Sequence, residues 1–309
     1  MNPHLIVSLL LAVLLVLVGC GESGDRDATD ADGDGKPVVF ATNYPLAYFA
    51  ERIAGDTAEV RFPQIEGDPA FWRPSDAQIA EMQGAALILT NGAAYEKWAA
   101  TASLPSAKTV DSSAAFADRY IVIADAKTHS HGASGDHSHG GTAFTTWLDF
   151  DQARQQAQAV RDALMEAMPN ERDALKANAD TLLGEISKLD QEMSSVTAEL
   201  GERPLMASHP VYQYFARRYG LNIKAVLWEP ETVPTASDME GLETIRKDHP
   251  AKWMIWEGEP ASESIALLGE IGVASVVVDP CGNRPDTGDW LSVMRQNVEN
   301  LKALADNDG

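Results

Sequence analysis

A chain of 309 residues, 45% apolar and 23% charged, is long enough for about two domains with sizeable cores. Its balance is that of a soluble globular protein, not of a disordered or multi-span one. Lys and Arg number 24 against 46 Asp and Glu, and the resulting net charge of −22 argues against nucleic acid and is compatible with a cation as ligand. Two cysteines, Cys20 and Cys281, exclude a disulfide framework.

Residues 5–18 form one apolar run interrupted only by Ser8. Fourteen residues are too few to span a bilayer and fit the apolar region of a signal peptide. The run closes on LVGC at 17–20, which resembles the lipobox of bacterial lipoproteins. That resemblance implies a signal peptide over 1–19, a lipid on the Cys20 sulfur and an exported protein anchored to a bacterial membrane. Cys281 then has no internal partner. Residues 21–36 carry six acids against two bases and no large apolar residue, so 20–36 reads as a lipidated cysteine followed by a disordered acidic tether.

From residue 37 short β-rich runs alternate with helical ones. VVFAT (38–42), EVRFPQI (59–65), AALILTN (85–91) and YIVIA (120–124) are predicted strands, with helices over 45–54 and 75–83. The rhythm returns after residue 200 with PLMAS (204–208), KAVLW (224–228), KWMIW (252–256) and SVVVD (275–279), and helices over 211–219 and 262–271. Two sets of four strands mean two α/β lobes. Between them lie helices over 151–168 and 170–200. The second carries an apolar stripe from Leu175 through Leu182 and Leu189 to Leu200, and Asp173 is placed as in a capping box.

In open α/β sheets ligands bind beyond the carboxyl ends of the strands. Those ends carry Asn43, Asn91, His209, Glu257 and Asp279. An imidazole and a carboxylate at neighbouring strand ends suit zinc or manganese. Four of the seven histidines, His129, His131, His137 and His139, fall in the glycine-rich run 128–141, which reads as a loop that gathers divalent cations.

The stretches GDPAFWRPSDAQIAEMQGAALILTNGAAYEKW, TWLDFDQA, MASHPVYQYFARRYGL and IWEGEPASESIALLGEIGVASVVVDP resemble the zinc/manganese class of solute-binding proteins that serve ABC transporters. The resemblance implies an N-terminal lobe over 37–168, a long rigid linking helix over 169–201 and a C-terminal lobe over 202–309. Each lobe would hold a roughly four-stranded parallel sheet, with the metal in the cleft between them. It also implies delivery of that metal to a membrane permease; a monomer is expected, and no enzymatic activity, because Cys281 lacks any local nucleophile motif.

The class's third cleft histidine matches His209, and its C-lobe carboxylate matches Asp279. Two further ligand positions are replaced, one by Ala70 in DPA (68–70), the other by Thr145 before Trp147. Completion of the shell is expected from the loop histidines His131, His137 and His139 and from Glu257, with zinc favoured and manganese as the alternative. Cys281 is a further candidate, read first as a structural cysteine. The cleft is expected to be lined by Asn43, Phe71, Trp72, Asn91, Thr145, Trp147 and Trp256. Such an aromatic lining raises a rival reading, an organic cation held by cation–π attraction.

Overall fold

A computed structural model describes residues 35–65, 67, 69–123, 128–130, 136–138 and 141–307. Residues 1–34, which hold the expected signal peptide, Cys20 and most of the expected tether, lie outside the described residues, as do His131 and His139. His129 and His137 are backbone register partners in a short antiparallel pairing of Thr128–Ser130 with Asp136–Ser138.

The N-terminal lobe opens with β1 (Val38–Ala41), α1 (Tyr44–Ala54) and β2 (Glu59–Arg61), then α2 (Asp76–Gly84), β3 (Leu87–Thr90) and β4 (Thr109–Asp111). All four strands are parallel, in the order β2-β1-β3-β4. Every residue of β1 and β3 is buried, as the central strands of a sheet covered on both faces must be. The first two helices start on side-chain caps. Asn43 accepts the Leu46 N–H at 3.0 Å, and Ser75 forms a capping box with Gln78.

Two expectations are corrected in this lobe. The run 120–124 is not the fourth strand. Its strand is the short Val122–Ile123, which pairs antiparallel with Gly141–Thr142, and Val122 is 75% exposed. The fourth strand is Thr109–Asp111, a three-residue edge whose half-buried composition gives no apolar run to read. The strand expected over 59–65 ends at Arg61, because Pro63 has no N–H to continue the ladder.

α3 (Phe150–Ala167) leads through a 3-10 turn into α4 (Arg172–Leu200). The capping box expected around Asp173 does not form; Glu171 is the N-cap and makes no side-chain cap bond. At 29 residues α4 is about 44 Å long. Its buried stripe of Leu175, Ala179, Leu182, Ile186, Leu189 and Met193 packs on α1 and α3 of one lobe and on α5 and α8 of the other.

The C-terminal lobe repeats the pattern: β5 (Pro204–Ala207), α5 (Gln213–Tyr219), β6 (Asn222–Ala225), α6 (Ala236–Arg246), β7 (Trp253–Trp256), α7 (Ser262–Glu270), β8 (Ala274–Val277) and α8 (Trp290–Asn307). Its parallel order is β6-β5-β7-β8, the same as in the first lobe. β6 begins and ends earlier than the apolar run 224–228. Past Ala225 the chain leaves the ladder but stays tied to it, Val226 N–H bonding Ala207 O at 2.9 Å and Trp228 N–H bonding Ser208 O at 2.7 Å.

Candidate metal centre

Parallel strands end on one side of their sheet, so residues distant in sequence meet there. In the C-terminal lobe His209 follows β5, Glu229 follows the extension of β6 and Glu257 follows β7. His209 is 5% exposed. Its Nδ1 lies 3.4 Å from Glu229 Oε1 and 3.5 Å from Glu257 Oε1. The three donors all fall within 4.8 Å of one another, the one such His, Cys, Asp or Glu group of three or more among the described residues. Two carboxylates gathered around one buried imidazole form a cation-seeking arrangement with nitrogen and oxygen donors suited to zinc.

This group opens into a cleft of about 1170 Å³ between the lobes. Asp279 lines the same cleft but stands outside the group. Its Oδ1 accepts the Cys281 N–H at 2.6 Å, and burial raises its carboxyl above the usual range against the lowering pull of that bond. Cys281 lines the cleft too, its Sγ on Asn283 O at 3.8 Å. Burial and then the Asp279 charge push its thiol far up, so it stays protonated in the metal-free protein. These are properties of a structural cysteine.

On the opposite wall Phe71, Trp72, Thr145 and Trp147 line the cleft. Asn43, Asn91 and Trp256 do not; all three are fully buried. Asn43 caps α1 and donates to Asn91 Oδ1 at 3.2 Å, while the Trp256 indole bonds Ser275 Oγ and its ring tilts against Trp228. Capping and packing claim these groups for the interior. Thr145, at a position where a histidine was expected from the resemblance, donates its hydroxyl to Val211 O of the other lobe. Ala70 is buried and offers no donor.

The sequence reading missed Glu229. The rule that selects His209 and Glu257 also selects it, since it directly follows the run KAVLW.

Two similar α/β lobes around a cleft, with a donor cluster at the strand ends, form an arrangement that can hold a metal ion. Residues 39–304 match the family described as zinc-uptake complex component A, periplasmic (ZnuA), and the chain belongs to that family. It is a family of uptake components, not of enzymes. The zinc-binding lipoprotein AdcA of Streptococcus pneumoniae is 27% identical over 321 residues, covering 98% of this chain and 62% of the relative. This chain thus spans somewhat less than two thirds of AdcA. The high-affinity zinc uptake system protein ZnuA of Bacillus subtilis is 24% identical over 310 residues, covering 95% of each. In three dimensions the chain resembles Zn(II)-bound AdcA of S. pneumoniae with a TM-score of 0.73 and 22% identity, over 88% of this chain and 58% of that one. The metal-dependent lipoprotein YcdH of B. subtilis superposes with a TM-score of 0.72 and 21% identity, over 88% and 98%. Both structures share the fold.

Proposed function

We propose that this protein is an extracytoplasmic receptor that captures a divalent transition metal, zinc before manganese, and delivers it to an ABC permease for uptake. The observation that carries this reading is the buried His209 with two carboxylates at its Nδ1, in the cleft of a chain of the zinc-uptake family. The names of the relatives AdcA and ZnuA, a zinc-binding lipoprotein and a zinc uptake protein, support it.

In this reading residues 1–19 are removed on export, Cys20 carries the lipid anchor and 20–36 is the tether. Residues 37–168 and 202–309 act as the two lobes of a monomer, with 169–201 between them. The histidines of 128–141 gather metal near the membrane surface. The organic-cation rival finds less support, because the Lys97 ammonium already lies 5.6 Å over the Phe71 ring and would repel a second cation there. Tyr95 packs edge to face on both Phe144 and Trp147.

Calorimetric titration of the metal-free full chain tests the reading. One tight, saturable zinc site per chain is expected, with manganese bound more weakly and further weak zinc uptake at the loop. A chain with no saturable site for either ion would sink it.

A further inference from the structure

We infer that the metal is held by the C-terminal lobe alone, through His209 Nδ1, Glu229 and Glu257, with no ligand from the N-terminal lobe. The inference rests on the metal-capture reading and assigns its ligands.

Geometry carries it first. A tetrahedral zinc with bonds of about 2.0–2.1 Å holds neighbouring donors about 3.3–3.4 Å apart. His209 Nδ1 stands 3.4 and 3.5 Å from the two glutamate oxygens, too far for good hydrogen bonds and right for edges of that tetrahedron. Topology carries it next. β6, β5 and β7 are adjacent strands, so His209, Glu229 and Glu257 leave three neighbouring strand ends, with the switch point of the sheet between β5 and β7.

The facing lobe has the same strand order but uses its switch point differently. There Asn43 and Asn91 follow β1 and β3 and bond each other in the interior. Ala70 has no donor atom, and the Thr145 hydroxyl is engaged with Val211 O. Asp279 Oδ1 accepts the Cys281 N–H, and its carboxylate stands outside the three-donor group. Three protein ligands with one position left for water match the open type of zinc site, so no loop imidazole is required.

Two measurements on the full chain decide the matter. Zinc affinity, read by competition with a chromophoric chelator, is expected to fall at least tenfold in Glu229→Gln and again in Glu257→Gln. X-ray absorption of the wild-type chain loaded with one equivalent of zinc is expected to show a single imidazole and otherwise oxygen neighbours. Two or more imidazoles at the tight site would overturn the inference, whether or not the variants fold. So would a folded Glu229→Gln chain that binds zinc as tightly as the wild type; in both cases metal capture itself would stand. A wild-type chain without a saturable site would remove the capture reading and this one with it.

Discussion

At the carboxyl end of β3, Asn91 commits its whole amide to the interior. Its Oδ1 accepts from Asn43 Nδ2, Thr146 Oγ1 and Gln156 Nε2 at 3.1–3.3 Å, and its Nδ2 donates to Gly92 O and Phe144 O. Truncation strands several buried donors and acceptors at once, and each costs about 1–3 kcal/mol. Asn91→Ala is therefore expected to lose roughly 2–4 kcal/mol in urea denaturation. Glu96 sits beside it, accepting from Thr42 Oγ1 and from the Asn91 and Gly92 N–H groups. Those bonds hold a turn in which Gly92, Ala93 and Ala94 all take positive φ, and a Cβ on Gly92 would meet Asp111 Oδ1 at 2.0 Å. Burial outweighs the same bonds and raises the Glu96 carboxyl from 4.5 to about 7. The folded state then binds this proton more tightly than the unfolded one. Its stabilisation is complete below about pH 4.5 and is lost as pH climbs through 7, a change of roughly 3 kcal/mol at most. Denaturation midpoints of the wild type and Glu96→Gln, taken from pH 4.5 to 7.5, should fall more steeply with pH in the wild type.

The element that decides the architecture is α4. An isolated helix in water gains little from propensity alone, and 29 residues stay helical here because one stripe is buried along the whole length. Leu182 is completely buried in that stripe. Leu182→Ala is expected to cost about 2–5 kcal/mol, whereas Lys188→Ala, on the solvent face with its side chain 78% exposed, should stay within about 0.5 kcal/mol. Equilibrium denaturation of the two variants side by side gives the comparison. A Leu182→Ala protein as stable as the wild type would mean that α4 is a surface helix and not the spine of the fold.

For the molecule as a whole, the lobes share one core. A single buried cluster runs through Leu46 of α1, Leu164 of α3, Leu182 of α4, Phe215 of α5 and Leu301 of α8. Polar bonds cross the cleft as well. The Trp147 indole donates to Pro280 O at 2.7 Å, Tyr44 N–H to Gly282 O at 3.0 Å, and Asn283 Nδ2 to Ile65 O at 2.7 Å. Tyr214 of α5 reaches back to Ala143 O, and Arg217 and Arg218 lie within 3.8 Å of Asp149. Lobes tied by a spine and by these bridges have little freedom to hinge. Small-angle scattering is expected to show the same radius of gyration with and without zinc, and thermal unfolding of the metal-free body a single transition. Large compaction on zinc addition would contradict this.

Periodicity and strand-end chemistry, both local properties, carried a large part of this structure. The apolar runs at 38–42, 85–91 and 252–256 became central strands because burial on both faces demands such runs, and the stripe from Leu175 to Leu200 became α4. His209 and Glu257 could be read as candidate site residues because the positions after buried strands lie along the sheet edge where open α/β folds bind ligands. Thr109–Asp111 could not be read, since a three-residue edge strand of two half-buried residues and one exposed one has no periodicity of its own. Nor could sequence tell that Asn43 and Asn91 turn inward to bond each other while Glu229 turns into the cleft, for all three stand after strands. Their directions follow from the order β2-β1-β3-β4 and β6-β5-β7-β8, which places residues 20 to 50 positions apart side by side. Only once that order exists does one lobe close its switch point with amides while the other gathers an imidazole and two carboxylates around a cation-sized gap.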